Sequence, residues 1–201
     1  MFRAMLHRTI GYTFNHKKTR AIIEGELIRF MEDPKNKEMI KDVVERFQRK
    51  AKFSKEASKY THVAGVLYGH ELKLIEARDF LHMSGATSLN YFIKKKVPFI
   101  VLRYFKNTQR IKRRNLAICW ALQANKKYRL IELVGIEFKR IFKTSSNWFG
   151  KRNGVFCSEL IALGFQHVGV ELFNKRPADL IYPADFFYAY MKGHFKKVYS
   201  S

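Results

Sequence analysis

From Lys37 to Lys55 the apolar residues Met39, Ile40, Val43, Val44 and Phe47 recur at intervals of three and four, the spacing of one amphipathic helix. The period then changes to two. Thr61 to Tyr68 is rich in β-formers, Gly69-His70 marks a turn, and Glu71 to Ala77 alternates again, so the pair predicts a hairpin. On its second strand Leu72, Leu74 and Glu76 share one face, and Lys73, Ile75 and Ala77 share the other. After a turn over Arg78 to Met83, a short helix is expected from Ser88 to Lys96. A strand follows from Val97 to Tyr104, with Pro98 near its start, then a helix over Asn107 to Asn125. Tyr128 to Val134 is mixed, and Ile136 to Phe142 continues as helix. The stretch from Ser145 to Gly154 reads as a loop, Cys157 to Val168 as a helix, and Pro183 to about Lys192 as an aromatic helix. Near the start, two apolar runs around Gly25 suit a turn into a strand between Ala21 and Phe30, and residues 1–20 read as a basic arm. Strands in the middle with helices around them make the class α+β.

Composition refines this picture. A length of 201 residues with 47% hydrophobic side chains supports one domain with a true core. No apolar run is long enough to span a bilayer, the run from Val97 to Leu102 being far too short. The opening Met1-Phe2-Arg3-Ala4-Met5-Leu6-His7-Arg8 lacks the apolar core of a secretory signal. The expectation is a protein that works where it is made, or leaves by a route the sequence does not encode visibly. Two cysteines, Cys119 and Cys157, make no disulfide framework and point to a reducing compartment. Cys119, within Leu116 to Leu122, reads as a buried, inert thiol, and no Cys/His cluster has zinc-ligand spacing.

The net charge is +22. Runs at Lys94, Lys95 and Lys96, then Arg110, Lys112, Arg113 and Arg114, mark surfaces suited to a polyanion. DNA, RNA, acidic lipid headgroups and anionic cell-wall polymers all satisfy that chemistry. A merely solvated surface is the simpler reading, but the bias exceeds what solubility asks. A sequence-specific DNA binder is disfavoured, because no helix-turn-helix or zinc-finger pattern is present.

The candidate chemistry lies in two segments far apart in the chain. His62, in Tyr60-Thr61-His62-Val63-Ala64-Gly65-Val66-Leu67-Tyr68, stands at the mouth of the first hairpin strand. Cys157, in Val155-Phe156-Cys157-Ser158-Glu159-Leu160-Ile161, stands at the first turn of a helix, where backbone N–H groups and the helix dipole favour a thiolate. A thiol nucleophile needs a base, usually imidazole, and the base needs an orienting acceptor. Hairpin geometry brings Glu76 near His62 as a cross-strand neighbour, within a residue or two of register. Taken singly, Cys157 reads as a packed small hydrophobe, His62 as a hydrogen-bonded strand end, and Glu76 as a solvated charge.

Together with their surroundings these segments resemble a known family. Thr61 to Val66, Ile75-Glu76-Ala77, Val101-Leu102-Arg103 and Phe156-Cys157-Ser158-Glu159-Leu160, in that order, are similar to the circularly permuted branch of the NlpC-like, papain-fold cysteine hydrolases, the YiiX-like branch. In that branch the histidine and its polar partner precede the cysteine. Glu24 to Ile28 resembles the family's entry to its first strand, with Glu26 where an aspartate is usual. Lys127-Tyr128-Arg129 stands where a Tyr-Asp pair is common, and Pro177 to Leu180 and Pro183 to Asp185 resemble its C-terminal proline-aspartate elements. The similarity spans roughly residues 21 to 187.

The resemblance implies a papain-like domain over 21–201, with a central antiparallel sheet, surrounding helices, and a charged helical insertion at about 35–57. It implies attack on an amide or ester carbonyl, with Cys157 as nucleophile, His62 as base then acid, and Glu76 orienting the imidazole. The oxyanion would be held by the Cys157 N–H and a second donor, for which Tyr128 is the candidate. Neither metal nor organic cofactor is required. The implied substrate is the peptide part of peptidoglycan, with acyl-lipid amides or esters second, as for a lipid hydrolase or acyltransferase. The basic balance suggests a specialised member, for example one packaged in a virus particle. The competing expectation is a non-enzymatic basic protein on the same scaffold that binds nucleic acid or an acidic membrane.

Overall fold

The computed structural model describes residues 37–68, 72–77, 84–96, 98–104, 110–123, 126–128, 136 and 154–200. The expected basic arm, the strand near residues 21–30, the turns at Gly69-His70 and Arg78–Met83, and the loop from Ser145 to 153 lie outside these residues. So does the expected helix beyond Ile136, which is itself helical and buried. Residues 41–200 belong to one compact unit.

Helix α1 covers Lys37–Lys50, shorter than the single helix expected to Lys55. Its end is a Schellman closure. Lys52 N–H donates to Arg49 O at 3.0 Å and Phe53 N–H to Gln48 O at 3.2 Å, with Lys52 at φ 67°. That geometry satisfies the last carbonyls and turns the chain, so the remaining residues restart as a separate helix. Ser54 caps it by accepting from Ala57 N–H at 3.1 Å, and α2 is Lys55–Ser58.

Strands β1 (Gly65–Tyr68) and β2 (Leu72–Glu76) pair antiparallel, with Gly65 opposite Ile75 and Val66 opposite Leu74. A third strand, β3 (Gly85–Ser88), pairs on the other edge of β2. Its small, polar sequence carries no strand pattern, and pairing to β2 alone makes it a strand. Ser88 then caps α3 (Leu89–Lys94) by accepting from Asn90 N–H. Strand β4 (Ile100–Tyr104) pairs antiparallel with the last strand, β7 (Phe195–Ser200), with an irregularity between Val101 and Leu102. Between them come α4 (Arg110–Leu122), β5 (Lys127–Tyr128), β6 (Gly154–Val155), α5 (Cys157–His167), a 3₁₀ turn at Ala178–Leu180 and α6 (Pro183–Met191). β5 and β6 pair in parallel.

The fold is α+β, as the order of patterns implies. Among the described residues the strands nevertheless divide into a three-stranded antiparallel sheet and two separate pairs, one of them parallel, rather than one central antiparallel sheet. β7 escaped the sequence reading because five of its six residues are exposed, so burial imposes no alternation on it. Among the described residues no helix is long and apolar enough to cross a membrane.

The core is built around α5, whose Leu160, Ile161, Ala162 and Phe165 are buried against Ile75, Ala77, Trp120, Val155, Ile181, Phe186 and Phe195. Trp120 is its keystone. The indole meets Phe165 edge-on at 5.8 Å, and its Nε1–H donates to Ile161 O at 3.2 Å. A Cβ placed on Gly65 would lie 2.5 Å from the indole, and one on Gly164 would meet Nε1 more closely still. Both glycines are therefore required by close approach to a rigid, buried ring, which a side chain at either position would have to displace. Gly65→Ala and Gly164→Ala are each expected to cost ~1–3 kcal/mol by overpacking, measured as a lower urea midpoint at unchanged m-value.

Candidate active site

The cysteine arm is set by the entry to α5. Val155 leaves β6, Phe156 is extended at φ −102° and ψ 169°, and Cys157 is the first helical residue. Glu159 supports the turn, its carboxylate accepting from Phe156 N–H at 3.4 Å. Ser158 Oγ–H donates to Ile181 O at 2.7 Å, which ties the first turn to the chain just before α6. Cys157 is 1% exposed. The backbone N–H groups of Val63 and Ser158 stand beside its sulfur and favour the charged form.

The histidine arm runs from α2 into β1. Continuing the β1–β2 register places Ala64 opposite Glu76, so His62 stands two positions further along the same face. The two meet, His62 Nε2 to Glu76 Oε2, at 2.9 Å. The His62 ring also stands beside Cys157, so that imidazolium and thiolate favour one another, and with Nε2 turned to Glu76, Nδ1 is the ring nitrogen left to serve the sulfur. The structure thus brings Cys157, His62 and Glu76 together. Glu76, read singly as a solvated charge, is buried at 2% side-chain exposure, while the imidazole between the two buried partners keeps 38%.

Burial opposes the charged form of both reacting groups, raising the thiol and lowering the imidazole, yet their mutual attraction prevails. The nearby thiolate, with help from the Glu76 carboxylate, lifts His62 to about 10. The imidazolium and the Val63 and Ser158 N–H groups hold Cys157 below the ordinary thiol range. Between those limits the pair is thiolate and imidazolium, the nucleophilic form.

Other sequence candidates fall elsewhere. Tyr128 lies in β5 opposite Val155, two residues before Cys157, and its side chain is outside the described part. Lys94, Lys95 and Lys96 are exposed where α3 ends, Lys95 Nζ resting 4.7 Å from the Tyr91 ring centre. Arg114 is exposed on α4. Arg110, Lys112 and Arg113 belong to the same helix, with side chains outside the described part. Cys119 is a buried free thiol beside Trp120, away from the pair. Among the described residues, no group of three or more His, Cys, Asp or Glu side chains is placed to hold a metal ion.

Sequence reasoning passed over several supporting residues. Trp120 lies in the apolar run beside Cys119, with no local sign of its contacts. Ser158 looked like part of a motif, with nothing to reveal its bond to Ile181. Gln48 had a usable signal, since it follows Val44 by four on the apolar stripe of α1, where a polar residue asks for buried partners.

No protein-family model matches the chain, and no curated protein matches it.

The charge state sets a pH expectation. Only thiolate alkylates, and a lowered thiol pKa keeps thiolate present as pH falls below the ordinary thiol range. Iodoacetamide alkylation of Cys157, followed by peptide mass mapping, should therefore continue well below pH 8. A second inflection is expected near pH 10, as the imidazolium is lost. Glu76→Gln withdraws the negative charge that helps keep the proton on His62, so the upper inflection is expected to move down.

Proposed function

We propose that the chain is a thiol hydrolase that cleaves an amide bond through Cys157, His62 and Glu76. The observation that carries this reading is the continuous chain of contacts from a helix-terminal sulfur to an imidazole to a buried carboxylate at 2.9 Å. The fold assigned to it is papain-like and of the circularly permuted NlpC type. Support comes from the arrangement itself, a strand-borne histidine and carboxylate followed by a cysteine opening a buried helix. Pro183 at the first position of α6, with Asp185 accepting from Tyr182 N–H at 2.7 Å, gives the C-terminal proline-aspartate element a structural role.

In the reaction the Cys157 thiolate adds to the carbonyl carbon, forming a C–S bond and an oxyanion. The Cys157 N–H, at the open start of α5, is one donor to that oxyanion, and Tyr128 is the candidate for the other. His62 Nδ1 gives its proton to the departing nitrogen as the C–N bond breaks, leaving a thioester. The neutral imidazole then takes a proton from water, whose oxygen attacks the thioester and returns the thiolate. Throughout, Glu76 accepts from Nε2–H and fixes the ring. The first substrate class is the peptide of peptidoglycan, with acyl-lipid amides or esters second. An acyl-thiol activity probe should label the wild type at Cys157 and fail on Cys157→Ala with Cys119 intact. Undiminished labelling of that variant would overturn the assignment.

The exposed run Lys94 to Lys96 and the net charge of +22 favour a second property, binding of a nucleic acid or an acidic lipid surface, within a virus particle for example. On the competing view this is the protein's whole function. Affinity for duplex DNA or phosphatidylserine vesicles should survive Cys157→Ala. For DNA it should fall on the order of 10³-fold between about 50 and 200 mM salt. Binding that ignores salt would remove this reading.

A further inference from the structure

Gln48 is wholly buried, on the last full turn of α1, and its amide serves three backbone groups. Nε2 donates to Ser58 O at 3.0 Å and to Tyr60 O at 3.3 Å, and Oε1 accepts from Ala184 N–H at 2.8 Å. Both amide protons are therefore used. The two acceptors precede His62 by four and two residues. Beyond Tyr60 the chain has no regular structure until β1 begins at Gly65. His62 thus hangs between two fixed points, the carbonyls held by Gln48 and the glycine packed on Trp120.

The third bond gives the amide a longer reach. Ala184 is the second residue of α6, and three residues before it Ile181 O holds Ser158, the neighbour of Cys157. The segment from 181 to 184 therefore receives both arms of the site, the histidine arm through Gln48 and the cysteine arm through Ser158. Tyr60 stacking on Phe187 at 4.6 Å reinforces the first of these ties. An apolar side chain of the same size would fill the space, but would leave three buried backbone groups without these partners.

We infer that Gln48 is a positioning residue for the proposed hydrolase, its amide setting the register between the His62 segment and the Cys157 helix. The inference rests on the thiol-hydrolase reading for its catalytic meaning, while its test reads the geometry of the pair and not turnover. The pH profile of Cys157 alkylation in folded protein is compared across variants by peptide mass mapping. Gln48→Leu removes all three bonds, and Gln48→Glu keeps the acceptor for Ala184 N–H but loses both donors. Each is expected to raise the lower inflection by about one unit, slowing alkylation about 10-fold at pH values below the wild-type inflection. Phe195→Leu is the control, since its ring contacts are with Tyr104 and Phe165. At a matched loss of stability it should leave the inflection in place.

Where Gln48→Leu does not fold, Gln48→Asn, which retracts the same amide by one methylene, is read on the same profile. Folded Gln48 variants that keep the wild-type inflection overturn the positioning role while leaving the hydrolase reading intact. A Phe195→Leu shift as large as theirs overturns it too, by making the effect one of general loosening. A wild-type profile with the inflection of an ordinary thiol removes the ion pair itself, and the role of Gln48 with it.

Discussion

An indole ring lying between two glycines fixes the separation of the two halves of this site. Trp120 comes from α4, which carries none of the three candidate catalytic groups, yet it touches both elements that matter. Gly65 opens the strand three residues after His62, and Gly164 sits two turns into the helix that Cys157 begins. Because the ring is rigid and buried, strand and helix approach it to one distance and no other. Its single N–H is bound to Ile161 O of the same helix, which also fixes the rotation of the ring. Sequence-distant groups thereby become neighbours through packing and not through any covalent link.

Within that frame the electrostatics are cooperative. A lone buried thiolate or a lone buried carboxylate would each be driven toward its neutral form. Here one imidazolium faces both, through its two nitrogens, and two backbone N–H groups share the sulfur. The partial exposure of the ring fits this division of labour. Sulfur and carboxylate are enclosed, where their fields are least screened, while the imidazole between them meets solvent.

The legible part of the sequence was the part governed by periodicity and by motif. The hairpin of β1 and β2 and helices α4, α5 and α6 follow from apolar spacing, because in each a buried face imposes its period, whereas α3 and β4 are legible although none of their residues is fully buried. The His62–Glu76 approach was legible from hairpin geometry, since register in a short hairpin leaves little freedom. What escaped had no local cause. β3 and β7 are strands because of what they pair with, and the helix break at Lys52 uses a lysine where a glycine would have announced it. Gln48, Ser158 and Trp120 act on residues 136, 23 and 41 positions away, and no window along the chain contains both partners.

Those separations bear on the life of the chain before it is folded. The histidine arm is synthesised about a hundred residues before the cysteine arm, and the segment at 181–184 that joins them comes later again. Until that segment arrives, Cys157 has no imidazolium, no helix terminus and no paired amides around it. It is then a thiol of ordinary acidity on an open chain. The acidity of this sulfur is thus set by tertiary closure, and a thiolate formed before that closure would be exposed to stray oxidation. The lowered pKa of Cys157 is therefore a property of the closed fold and not of the local sequence around it.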